Sequence, residues 1–381
     1  MFHRRDILAL GAAGIGASLL PGIAFARAAT ERRFVFIIQR GAADGLNIVI
    51  PHGDNDYAKL RGALAIDPTE ATKLDGQFSL HPSLARTAEF YRGGEALFVH
   101  AIASPYRERS HFDGQNVLET GGEGPYALKD GWLNRLGAML PGDDDKAVAL
   151  AATIPLALRG TARVVSYAPS GLPGANDDLL ARVDQLYADD ALLHPLWAAA
   201  ISAQNMARQS GGRQDPASLG RLAASFLARP DGPRLAMIET NGWDTHSAQP
   251  SRLAAQLKAL DTLVGAMRDA LGPTWAQTSI LVATEFGRTA AANGTNGTDH
   301  GTASAAMLIG GAVRGGRVLA DWPGLGQSAL YEGRDLKPTI ALDALVAGAA
   351  AEGLGLDPAQ VARTLFPATP KLRPVQELAR S

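Results

Sequence analysis

The sequence predicts an α/β protein with a mostly parallel central sheet and helices on both faces. Three observations predict it. Short apolar runs rich in branched residues recur along the chain, as buried parallel strands require. Stretches with apolar residues at helical spacing separate them. The ionisable residues of interest collect just after the apolar runs, where open α/β sheets bind their ligands.

The totals narrow the function. A chain of 381 residues, 46% hydrophobic and 19% charged, can bury a large core. Its net charge of -2 argues against nucleic acid as the main partner, because phosphate binding needs a basic surface. Without cysteine there is no disulfide, thiolate zinc site or cysteine nucleophile. The beginning reads as a targeting signal: Arg4-Arg5-Asp6-Ile7-Leu8 is a twin-arginine pattern, and an apolar stretch follows over residues 8–25. Ala24-Phe25-Ala26 or Ala26-Arg27-Ala28 supplies small residues for cleavage. Glycines and Pro21 interrupt the apolar stretch, so no stable membrane span is expected after processing. Residues 1–28 are expected to direct export to the periplasm or beyond, and 29–381 to form the folded domain.

In chain order, Arg33-Phe34-Val35-Phe36-Ile37-Ile38 is the first strand, and it delivers Asp44 between Gly41 and Gly45. An acid there suits a metal or phosphate ligand, and equally a helix cap or turn. His52 and Tyr57 follow closely enough to line the same pocket. A helix from His81 through Tyr91 ends at Gly93-Gly94, and Ala96 to Ile102 is the second strand. Beyond it, Ser110 stands at a helix start, where the helix dipole favours an alkoxide or a bound anion. Capping is serine's common use at such a place. Residues 148–156 and 162–167 read as strands, and 177–227 as largely helical, broken by Gly211-Gly212. The part near 175–230 is expected to be a helical insertion over the sheet. Arg234 to Ile238 is another strand, leading to Asn241-Gly242-Trp243-Asp244-Thr245-His246, where acid and imidazole can face one ion. An amphipathic helix over 250–271, a helix over 341–354 and a tail over 365–381 complete the chain.

Residues 278–311 organise the rest. Ser279-Ile280-Leu281-Val282-Ala283 and Ala305-Ala306-Met307-Leu308-Ile309 are apolar strands flanking a long polar loop. That loop carries an acid (Glu285), a cation (Arg288) and a base (His300). Carboxylates and imidazoles are the ligands that hard and borderline divalent ions prefer. Asp44, Asp244, His246, Glu285 and His300 are the candidate metal ligands, with Ser110, His111 and Arg288 as catalytic candidates. The ion is expected to be zinc, manganese, magnesium or calcium, with one or two bound.

The order of these groups resembles the alkaline phosphatase and sulfatase superfamily. Within it, the stretches RGAADGLN, RSHFDGQ, GWDTH and ATEFGRT followed by DHG are similar to the Tat-exported bacterial family called domain of unknown function 1501. The resemblance implies an alkaline phosphatase-like fold, with Asp44 as the first-strand ligand, Ser110 as nucleophile, and Asp244, His246 and His300 as ligands. Phe286 stands where that superfamily places a histidine ligand, which leaves one metal position short. The expected function is an exported, metal-assisted hydrolase of a small-molecule or envelope phosphate or sulfate ester. The alternatives are a member that has lost turnover and binds an envelope or carbohydrate ligand, and an assembly or secretion factor.

Overall fold

The computed structural model describes residues 30–142, 146–168, 177–190, 193, 194, 197 and 215–380. The twin-arginine segment and Gly211-Gly212 lie outside them. Among the described residues one sheet holds nine strands: β1 (Arg33–Gln39), β2 (Ala96–Ala103), β3 (Ala147–Leu150), β4 (Val164–Ser166), β5 (Leu235–Thr240), β6 (Thr278–Ala283), β7 (Ser304–Ile309), β8 (Arg317–Leu319) and β9 (Ile340–Ala341). Their order is β8-β2-β7-β6-β1-β5-β3-β4, with β9 also on β2. The sheet is mostly parallel, as expected, but β7 runs antiparallel to both β2 and β6.

The reversal of β7 positions the site. A parallel crossover from β6 would need a dozen or more residues, usually with a helix. Here residues 284–303 fold back on themselves instead. Gly287 N donates to Thr302 O (2.9 Å), Gly301 N to Gly287 O (2.8 Å) and Thr289 N to Asp299 O (2.9 Å). An antiparallel bridge joins Arg288 to His300. The start of β7 therefore lies at the same sheet edge as the end of β6, and His300 comes beside the residues that follow β6.

Every residue of β1 is buried, and its side chains alternate between two cores. Val35 and Ile37 face Leu257, Leu260 and Val264 of helix Gln249–Leu271; Phe34, Phe36 and Ile38 face the cluster around Trp132, Leu345 and Leu365. Trp132 meets Phe36 edge-on at 5.0 Å between ring centroids. Helices thus cover both faces. No helix among the described residues is long and apolar enough to cross a membrane.

Some elements differ from expectation. The strand expected over 148–156 stops at Leu150, and Pro155 precedes a short 3-10 turn over Leu156–Leu158. The segment near 175–230 divides. Residues Asp177–Tyr187 form a helix, whereas Pro216–Leu227 is a core helix, with Leu222 and Phe226 buried beneath the sheet. Gly220 makes that contact possible: a Cβ there would stand 2.2 Å from the Leu263 carbonyl oxygen of the neighbouring helix. The helix expected from His81 starts at Ala85, and Asp261 of that same neighbour accepts from the Arg86 and Thr87 amides at 3.0 and 2.8 Å. The tail packs back through Val375 N to Ala344 O (3.0 Å) and Arg380 N to Ala312 O (2.8 Å).

Candidate metal centre

Three loops at the carboxyl edge meet. The loop after β5 is pinned by Trp243, whose indole N–H donates to Thr240 Oγ1 at 3.0 Å, and it presents Asp244 and His246. Gly41 after β1 makes room: at its φ of +119° a Cβ would stand 2.6 Å from Asp244 N. The loop after β2 ends in helix α1 (His111–Thr120), whose first residue turns its ring into the cluster. The folded-back loop after β6 brings Glu285, Arg288, Asp299 and His300.

Asp244 is the meeting point. Its Oδ1 lies 3.0 Å from His246 Nε2 and 3.4 Å from His300 Nε2, and its Oδ2 lies 3.5 Å from His111 Nε2. The Nε2 atoms of His246 and His300 are 3.0 Å apart. Donors on a tetrahedral ion with bonds of about 2.0–2.2 Å stand roughly 3.3–3.6 Å apart; the approaches of His300 and His111 to Asp244, at 3.4 and 3.5 Å, match that spacing, whereas the two approaches of His246, both 3.0 Å, are tighter. His111, Asp244 and His300 each offer a ligand atom within 4.8 Å of the others.

Behind each histidine is a group that only accepts. His111 Nδ1 donates to Glu285 Oε1 (2.8 Å), His246 Nδ1 to Asp299 Oδ1 (3.3 Å) and His300 Nδ1 to the Arg109 carbonyl (2.9 Å). Each Nδ1 proton is thereby committed, and each Nε2 is turned to the centre. His111 Nε2 is buried and has no hydrogen-bond partner of its own. Two neutral rings facing Nε2 to Nε2 at 3.0 Å would set lone pair against lone pair; a cation in the cluster removes that repulsion.

The charges agree. Burial pushes the Asp244 carboxyl up, but Arg288, then His246 and His111, hold it below its ordinary range. Glu285 is likewise pushed up by burial, and His111, Gln115 and the Gly41 amide bring it down, so both acids stay ionised. The Glu285 hydrogen bond raises the His111 imidazole, while burial and His111 lower that of His300. Glu285→Gln should keep the shape of this support and remove its charge. Zinc titration followed by calorimetry should then show affinity lower by about 10–100-fold. Unchanged affinity would mean that Glu285 does not tune the site.

The sequence matches the family described as "Protein of unknown function (DUF1501)" over residues 31–366. The chain belongs to this family. No curated protein matches it in sequence. Among solved structures, the DUF1501 chain is similar to the zinc complex of the C-terminal periplasmic domain of EcEptC from Escherichia coli. That likeness has a TM-score of 0.40 and 8% identity, over 75% of this chain and 74% of that one. It is similar to Ps i-CgsB in complex with k-i-k-neocarrahexaose, at TM-score 0.45 and 12% identity, over 90% and 77%. It is also similar to an alkaline phosphatase superfamily protein from Vibrio parahaemolyticus, at TM-score 0.36 and 11% identity, over 81% and 69%. At such low similarity the chemistry of the cluster rests on its own atoms.

In the DUF1501 chain the expected site residues sort into layers. Asp244, His246 and His300 are together in the cluster, and His111, expected to be catalytic, joins them. Glu285 is not placed as a direct ligand, since its Oε1 is taken by His111, Gln115 and the Gly41 amide. Asp44 also stands outside the cluster. Its carboxylate is closed by a two-pronged pair with buried Arg61 (both 2.8 Å) and by Gln249 Nε2 at 2.5 Å. The same Gln249 accepts from Thr298 Oγ1 (2.6 Å), which accepts from Arg288 Nε (3.1 Å), and Arg288 Nη1 donates to Asp244 (2.8 Å). Asp44 therefore supports the cluster from behind, and Arg288 orients Asp244.

Phe286 is buried and stacks on His111 at 5.1 Å between ring centroids, which fixes that ring in the cluster. Ser110 holds the N-cap position of α1 but makes no capping bond. Its neighbours on both sides belong to the site, through the Arg109 carbonyl and the His111 ring. His52 and Tyr57 are elsewhere, bonded to the Ile66 carbonyl and to Asn47. Sequence reasoning missed Gln249 and the supporting role of Asp299. Adjacency to His300 was a signal for Asp299; for Gln249, the first residue of a helix, there was none.

Proposed function

We propose that this DUF1501 protein is an exported hydrolase of a phosphate or sulfate ester that holds one divalent ion through His111, Asp244, His246 and His300. The observation that carries the reading is the convergence of three imidazole Nε2 atoms on one ionised carboxylate, with an acceptor behind every Nδ1. A donor set with three imidazoles suits zinc or manganese better than magnesium or calcium, which take oxygen ligands. Such an ion supplies Lewis-acid polarisation of an ester oxygen. The chain supplies the rest. Asp244 and His246 are nearly half exposed, which leaves the cluster open to a substrate. Ser110, with its hydroxyl free of capping, is the proposed nucleophile, and the start of α1 favours the negative charge of the ester.

The test is metal analysis of the exported protein together with turnover of aryl phosphates and sulfates. Ser110→Ala should retain the ion and lose turnover. Because no capping bond is lost, its thermal melt should match wild type instead of losing the roughly 1 kcal/mol of a working cap. Equal turnover by Ser110→Ala and wild type would remove serine from the mechanism. One observation favours a second reading, a ligand-binding member without turnover: Asp44 is occupied by Arg61, which leaves a second ion without its expected acid. A protein that binds the ion and hydrolyses no ester would support it. Export rests on the twin-arginine pattern, and replacing Arg4 and Arg5 by lysine should strand the precursor in the cytoplasm. Normal export of that variant would refute the signal.

A further inference from the structure

One short hairpin braces two loops of the cluster. Residues 331–335 fold back through Tyr331 N to Asp335 O (2.8 Å) and Asp335 N to Tyr331 O (3.0 Å). The hairpin rests on the loop after β6: Asp335 bridges to Thr289, and Ala290 N donates to Arg334 O at 3.1 Å. From there it reaches His300 twice. Arg334 Nη2 donates to the His300 carbonyl at 2.7 Å, and Thr302 Oγ1 donates to Asp335 Oδ2 at 2.8 Å. The same Oδ2 accepts from Arg109 in the loop after β2, through Nε at 3.0 Å and Nη2 at 2.8 Å. Arg109 is the residue whose carbonyl accepts from His300 Nδ1. Its φ of +63° lies in the left-handed region, where an L side chain stays only if its surroundings hold it. Asp335, with its side chain 0% exposed, is the buried anchor; Glu332, at 2.6 Å, is a second and exposed one.

We propose that Asp335 is a positioning residue for the metal cluster: by anchoring Arg109 in the left-handed conformation, it fixes the carbonyl that sets the His300 tautomer. This rests on the metal-site reading above. The chain of contacts is short, from Asp335 to the Arg109 guanidinium, through one residue of backbone, to His300 Nδ1. Without the anchor, residue 109 relaxes to a negative φ and its carbonyl turns away. Either ring nitrogen of His300 can then carry the proton, and a proton on Nε2 blocks the atom that faces Asp244. A pair that merely ties the hairpin to the fold behaves differently. In that case every residue at 109 without a guanidinium is equivalent. If the pair acts through the backbone, glycine can replace it, because glycine adopts a positive φ freely, and alanine cannot.

The test titrates the purified protein with zinc by calorimetry. Asp335→Ala should lower the affinity about tenfold, the low end for removing a group behind a ligand. Two double variants carry the test if Asp335→Ala does not fold. Both contain Asp335→Asn, which keeps an acceptor for Thr302 and strands no charge once the arginine is gone. With Arg109→Ala added, affinity should fall about tenfold. With Arg109→Gly added, it should stay within about twofold of wild type. Nitrogen NMR of the metal-free, histidine-labelled proteins gives a second readout, with the His300 signals assigned from a His300→Gln variant. His300 should hold its proton on Nδ1 in wild type and in the glycine variant, and show a mixture in the alanine variant. Equal affinities and tautomers in the glycine and alanine variants overturn the proposal. So does a wild-type tautomer in Asp335→Ala. A wild-type protein that binds no zinc, but whose His300 tautomer follows residue 109 as expected, refutes the metal reading and leaves the role of Asp335 standing. Zinc binding that is tight and equal in every variant does the reverse.

Discussion

Protein carrying Asp244→Asn is expected to leave purification with its native fold and without its divalent ion. Asp244 is the one charged donor in the cluster, and it touches all three imidazoles. The amide keeps the shape but removes the charge that attracts the cation. The loss should exceed the roughly 100-fold upper range for removing a group one layer back. The fold should survive, because the amide oxygen can still accept from Arg288 Nη1, which now donates to Asp244 at 2.8 Å. His246→Ala is the companion variant. Its ring is nearly half exposed, and its removal opens no core, so affinity should fall while the melt stays put. Metal analysis after dialysis, with near-ultraviolet circular dichroism for the fold, reads both. If either variant holds zinc as wild type does, the cluster is not the binding site.

Asp44→Ala should do the opposite. Asp44 and Arg61 are both buried, with side chains 1% and 0% exposed, and their pair is two-pronged. Removing the acid leaves the Arg61 guanidinium in the core with no counter-charge, at a cost of about 3–5 kcal/mol. It also frees Gln249 Nε2, the next link toward Thr298 and Arg288. Urea unfolding should show the loss directly. Zinc titration at low temperature, where the variant remains folded, should show binding kept. Asp44→Leu combined with Arg61→Met should recover part of the stability, because an apolar pair leaves no charge stranded. A variant with wild-type stability and no zinc would restore Asp44 to the metal.

These contrasting outcomes show where sequence patterning reaches its limit. Asp44 and Asp244 look alike in the chain: each follows a buried strand, and each has glycine close by. What separates them is Arg61, seventeen positions after Asp44 and folded onto it, whereas Asp244 has rings on three sides. His111 and Glu285 show the same thing in reverse. The sequence offered one as a catalyst and the other as a ligand; in the structure a 2.8 Å hydrogen bond joins them, with the His111 ring turned to the cluster and Glu285 behind it.

The sequence by itself determined the parallel α/β sheet, the strands that build its centre and the loops that carry the chemistry. Those are consequences of local pattern, since apolar period and turn residues act within a few positions of each other. Only the tertiary structure decided that β7 runs antiparallel, and so brings His300 to the edge where β6 ends. Only it decided which carboxylates are already neutralised by a buried arginine or an imidazole and which one faces the cluster. The cluster depends on close approach of residues as far apart in the chain as His111 and His300, whose ring centroids stand 4.2 Å apart, and no local pattern encodes such an approach.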